Sequence, residues 1–154
     1  MPWITLTEED VQRRLTAAEL TALKTAAKAS SQDADDILNE AIADVVKRVR
    51  GYVAACQRNT LGEGVTIPDE LRGSALALVR DYLFTRLPGL KGLNDQIRQK
   101  ESERALAELR DVAACKFAIV PPETEAGDQA AGAGVELADS RDREATRDKT
   151  SGLF

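Results

Sequence analysis

The chain contains no histidine. That absence removes the commonest general base, the usual partner of a nucleophilic serine or cysteine, and the commonest metal ligand. Basic clusters are missing too. With a formal net charge of −5 and a pI near 4.9, the chain does not suit a protein that grips nucleic acid by neutralising phosphates. It does suit one past which nucleic acid moves without sticking. No signal peptide opens the sequence and no apolar run approaches the length of a membrane span, so the product is expected to be soluble and intracellular when made. Cysteine is sparse: Cys56 and Cys115 stand far apart at apparent helix ends. They are read as two lone thiols of a reducing compartment, with neither a disulfide nor a reactive thiol expected.

What is present is enough apolar sequence for one modest core. Residues 1–120 hold nearly all the Leu, Ile and Val and carry 17 basic and 18 acidic residues, while 121–154 is Pro, Gly, Ala and charge, with 4 basic and 8 acidic. The division predicts a helical domain over 1–120. It also predicts a C-terminal arm over 121–154 that buries too little surface to order by itself and is disordered unless bound to a partner.

The helical domain reads as two short helices followed by three longer ones. After a short extended opening, Thr7 with Glu8, Glu9 and Asp10 marks a helix start, and Thr16 with Glu19 has capping-box spacing for a second helix that fades in "KTAAKASSQ". In "SSQDADDILNEAIADVVKRVRGYVAAC", Ser30 or Ser31 is the expected cap. Leu38, Ile42, Val45, Val49, Val53 and Cys56 form one apolar stripe, with Lys47, Arg48 and Arg50 on the far side. Gly51, mid-helix, is expected to admit a close helix crossing. Pro68 is placed at the first helical position of "PDELRGSALALVRDYLFTRL", whose apolar face of Leu71, Ala75, Leu78, Val79, Tyr82, Leu83 and Leu87, widened by Leu76 and Phe84, is broad enough for burial on more than one side. The last helix is capped at Asn94. Its first half is almost wholly polar, so it overhangs into solvent, lines a wet channel or meets a charged partner, before Leu106, Leu109, Ala113 and Phe117 restore an apolar face.

Two stretches could be mistaken for chemistry. "NTLGEGVTIPDEL" has G-x-G spacing ahead of a helix, as some phosphate-binding loops do. Pro68 supplies no N–H at the helix start, however, Asp69 and Glu70 repel an anion, and a helix rather than a strand precedes the loop. It reads as a turn. Asp33, Asp35 and Asp36 lack the glycine and distal glutamate of a calcium loop and complement a helix dipole instead. Nothing suggests catalytic residues, a metal or a cofactor, and an enzyme is not expected.

In order, "WITLTEEDVQRRLTAAEL", "ILNEAIADVVKRVRGYV", "LRGSALALVRDYLFTRL" and "ERALAELRDVA" resemble the head–tail adaptor, or head-completion, proteins of tailed bacteriophages, including the Mu-like group. The likeness covers roughly residues 3–117 and is echoed in the apolar end of the tail. The loop departs from the Mu-like pattern, because "CQRNTLGEGV" has one arginine and no tyrosine where Arg-Tyr and more proline are expected.

The resemblance implies an all-α bundle that forms a ring, usually of twelve copies, under the portal protein at the capsid vertex. Such a ring extends the DNA channel, without specific DNA binding, and receives the next neck or tail-completion protein. The implied location is the head–tail junction of the virion, after synthesis in the host bacterial cytoplasm. On this reading Arg98, Lys100, Glu101 and Arg104 are candidates for one side of a subunit interface, with charged residues of 32–56 opposite. Arg141, Arg143, Arg147, Leu153 and Phe154 are candidates for a portal-docking arm. Two alternatives remain: another helical interaction protein, or a small regulator using residues 7–28 as a DNA-binding helix-turn-helix.

Overall fold

A computed structural model describes residues 3–87, 90 and 96–122. The chain divides into a unit Met1–Glu123 and a unit Thr124–Phe154, and the described residues belong to the first. They form an all-α bundle of five helices with one small two-stranded sheet: β1 (Trp3–Ile4), α1 (Glu8–Arg14), α2 (Ala17–Ala29), α3 (Ala34–Ala55), β2 (Ile67–Pro68), a 3-10 turn (Asp69–Leu71), α4 (Arg72–Arg86) and α5 (Gln96–Ala113).

Local chemistry sets most of the helix boundaries. Thr7 with Asp10 and Thr16 with Glu19 each form a reciprocal capping box, which satisfies donors that the first turn leaves unpaired. The second helix does not fade in its lysine-alanine stretch but runs to Ala29. It ends in paired backbone bonds, Ser31 to Lys28 and Gln32 to Ala27, with Ser31 at φ 56°. This is the Schellman arrangement, and it takes both serines out of contention as the next cap. Asp33 caps α3 instead, through a side-chain bond from the Asp35 N–H.

Pro68 also departs from expectation. It lies in β2, which pairs antiparallel with β1 in the register Trp3 to Pro68 and Ile4 to Ile67, and the 3-10 turn intervenes before α4. A residue without an N–H is tolerated on such an edge.

The core lies between α3, α4 and α5. All six stripe residues of α3 are buried, together with Ile37, Ala41 and Val46, and Leu71, Ala75, Leu76, Leu78, Val79, Leu83 and Phe84 bury the broad face of the next element. Polar contacts give the directions. Glu40 and Asp44 of α3 meet Arg86 and Tyr82 of α4, and Ser74 and Arg80 of α4 meet Glu108 and Glu101 of α5. The helices therefore run up, down and up, with the C-terminal ends of α3 and α5 at one end of the bundle. At that end Cys56 and Cys115 are joined by a disulfide, Cα to Cα 5.3 Å. This corrects the reading of two lone thiols, which rested on a separation in sequence that the parallel course of α3 and α5 cancels. Phe117 is likewise displaced from its expected role, being exposed beyond the end of α5.

Among the described residues Gly51 is not at a helix crossing. It is exposed, and a Cβ built there meets nothing within 4 Å.

Candidate functional site

The polar first half of α5 is the feature most in need of a physical account. Its inward side chains find charged partners within the chain. Arg98 pairs with Glu19, which is 1 % exposed at the start of α2, and the Arg98 guanidinium lies 5.6 Å from the Phe84 ring centroid. Glu101 accepts from both Arg14 of α1 and Arg80 of α4. Burial alone pushes the Glu101 carboxyl up, but the Arg14 hydrogen bond and the charges of Arg80 and Arg14 outweigh it and hold the group below the ordinary carboxylate range. Ser102, buried, donates to the Gln99 carbonyl at 2.9 Å. A run that reads as polar all round is thus half internal: its half-buried charges fasten α1, α2 and α4 to α5.

The outward side is different. Gln99, Lys100, Glu103, Arg104 and Arg110 are exposed, and Ile97 at the helix start is 77 % exposed. Beside this face Arg14, Glu70, Ser74, Arg104 and Glu108 rim a shallow depression of about 240 Å³. Its mixed signs suit charge pairing with another surface better than capture of one anion or cation. A larger open groove, about 650 Å³, lies along Ala22, Ala26 and Ala29 of α2 beside Arg86 and Leu87. Its lining is mostly apolar, and Arg86 is already held by Glu40 at 2.6 Å. Among the described residues no group of His, Cys, Asp and Glu is gathered so as to hold a metal ion, and no helix is long and apolar enough to cross a membrane.

The glycine-bearing loop closes on itself. Arg50 donates to the Thr66 carbonyl at 2.6 Å and the Gly62 carbonyl at 3.0 Å, so its side chain is turned to the loop and not to the solvent face where the helical pattern puts it. A Cβ on Gly62 would lie 2.6 Å from the Trp3 ring, and Gly64 takes a left-handed φ of 59°. One glycine admits the indole and the other makes the turn.

Residues 6–137 match the family described as Bacteriophage Mu, Gp36. The chain belongs to this family. No curated relative and no solved structure matches it. The family match begins at the buried Leu6, spans all five helices and continues past Pro122, the last described residue.

Within this phage-family fold, the four candidate interface residues separate by direction. Arg98 and Glu101 turn inward to partners in the chain, while Lys100 and Arg104 face solvent. Arg141, Arg143, Arg147, Leu153, Phe154 and the proposed cap Asn94 lie outside the described residues. Sequence reasoning missed three arginines that find partners within the chain, Arg14, Arg50 and Arg80. Arg80 carried a signal, since it stands inside the apolar run "ALALVRDYLF", where only a paired charge is tolerated. Arg14 and Arg50 carried none, because their partners come from distant segments.

Proposed function

We propose that this chain is the subunit of a head–tail adaptor ring of a tailed phage, seated under the portal protein and joining the capsid vertex to the neck or tail. The match to a bacteriophage Mu family over residues 6–137 carries the reading. A ring contact is head-to-tail and needs two different complementary patches on each subunit. The outward charges of α5, Lys100 and Arg104, supply one. The exposed Asp35 and Asp36 at the start of α3 supply acidic counterparts on the next copy. An overall charge of −5 favours a channel wall that repels DNA and does not hold it. Residues 121–154, with Arg141, Arg143, Arg147 and the terminal Leu153-Phe154, supply the arm that docks on the portal.

The test is imaging and mass determination of the chain mixed with the portal of its own phage, full-length and truncated after Val120. Portal-bound collars that require residues 121–154 support the reading and assign the arm. A full-length chain that stays monomeric and ignores the portal overturns it.

A further inference from the structure

The corner where α3 ends and the chain leaves α5 is fastened more heavily than a loop junction needs. α5 closes in a Schellman arrangement, with the Cys115 N–H bonded to the Val112 carbonyl, the Lys116 N–H bonded to the Asp111 carbonyl, and Cys115 itself at φ 58°. That backbone position favours glycine, yet it carries a cysteine, and the cysteine is bonded to Cys56 at the end of α3. A few residues on, Ile119 is buried and the Trp3 indole N–H donates to the Val120 carbonyl at 3.1 Å. Trp3 is in turn seated on Gly62 and paired through β1 with Pro68. Thus one covalent bond ties the segment Lys116–Pro122 to α3, weaker contacts hold it elsewhere, and residues 123–154 continue from its end.

The two sulfurs differ in access. Cys56 is 2 % exposed, whereas Cys115 is half-buried at the surface end of the corner. We propose that Cys56 and Cys115 form a reversible dithiol–disulfide site whose reactants are low-molecular-weight monothiols of the glutathione class and their disulfides, and whose state sets whether Lys116–Pro122 is fastened to α3.

The exchange balances in two steps. A monothiol thiolate attacks Sγ of Cys115, the protein S–S bond breaks, and Cys56 leaves as a thiolate that takes up a proton. A second monothiol thiolate then attacks the outer sulfur of the mixed disulfide, which releases Cys115 as a thiol and the two monothiols as their disulfide. Two electrons pass from the monothiols to the protein, and the reverse sequence uses the small-molecule disulfide as oxidant. Opening the bond removes the covalent tie to α3 and leaves the segment to the Trp3 hydrogen bond, the Ile119 contact and, at its start, the bonds of Lys116 and Phe117 to Asp111 of α5.

This inference does not rest on the ring reading, and its test needs no portal. The full-length chain is equilibrated in buffers of graded reduced-to-oxidised glutathione ratio. Free thiols are alkylated and counted by mass, trypsin cleavage after Lys116 is timed, and emission is read from Trp3, the single tryptophan of the chain. The expected result is a two-electron titration between zero and two free thiols. Reduction should speed cleavage after Lys116 at least tenfold and change Trp3 emission, with cleavage after Arg48 in mid-α3 unaltered. Cys115→Ser should match the reduced chain in cleavage and emission at every ratio. Two free thiols throughout, or equal cleavage and equal emission in both states, overturns the proposal. The titration of the unmodified chain decides the matter even if the serine variant fails to fold.

Discussion

Arg98 reaches from the first turn of α5 to Glu19, whose carboxylate at once completes the capping box of α2 and neutralises the guanidinium. Glu19 cannot be left alone there. Its side chain is 1 % exposed and faces the Arg98 guanidinium, and removing one partner of a buried ion pair is strongly destabilising. Arg98→Met is expected to destabilise the fold by about 3–5 kcal/mol, because it strands the buried charge. Glu19→Gln combined with Arg98→Met should cost distinctly less than the two single changes added together. Urea unfolding at neutral pH of the four proteins in the cycle measures this, and strict additivity would show that the pair is not coupled.

Two glycines should answer in opposite directions to the same change. Gly62→Ala places a Cβ 2.6 Å from the Trp3 ring and 2.9 Å from Thr66 Oγ1, so the indole, and with it the β1–β2 pairing, must shift. Overpacking of this kind costs about 1–3 kcal/mol. Gly51→Ala meets open space on an exposed helix face and should stabilise the free chain by about 0.5–1 kcal/mol through backbone entropy. Thermal unfolding of both variants checks the signs, and a destabilised Gly51→Ala would mean that the helix face is not open.

Acid should weaken the bundle through two carboxyls. Glu101 is held below its ordinary value of 4.5 as described above. Burial pushes Asp10 up, but hydrogen bonds from Thr7 and Arg72, with the Arg72 charge, hold it below 3.8. Both folded-state values are depressed. Their contributions are therefore fully present above the ordinary carboxylate range and are lost as pH falls through the folded values. Stability should be flat from neutral pH down to about 5 and then decline. Glu101→Gln should lower the plateau and flatten the decline. Unfolding midpoints across pH 2.5–7 provide the comparison, and an unchanged acid limb in Glu101→Gln would remove Glu101 from the account.

The helices and their inward faces were legible because they are written locally. The spacing of Leu38, Ile42, Val45, Val49 and Val53 fixes a buried stripe whatever lies against it, and Thr16 with Glu19 announces a cap within four residues. What could not be read is whatever depends on two distant segments meeting. Cys56 finds Cys115 only because α3 and α5 run parallel with α4 between them, and Arg50 leaves its helical face only because the loop returns over it. The same limit explains the candidate interface. Arg98, Lys100, Glu101 and Arg104 share one polar run, and their sequence spacing does not say that the first and third are consumed inside the chain.

That separation makes the interface testable without confusion from unfolding. Reversing Arg98 or Glu101 would break ion pairs that secure α5 to α1, α2 and α4, so lost assembly in those variants would say nothing about a subunit contact. Lys100 and Arg104 are exposed, and surface substitutions away from buried networks usually shift stability by no more than about 0.5 kcal/mol. Lys100→Glu with Arg104→Glu should therefore leave the unfolding midpoint in place while abolishing self-association on the portal. Adding Asp35→Lys with Asp36→Lys to the same chain should restore it, since the opposed signs are then exchanged across each contact. Sedimentation of the complexes at low and moderate salt provides the readout. Normal rings from the first double variant would take α5's outer face out of the interface and leave the α2 groove or the arm as the next surface to alter.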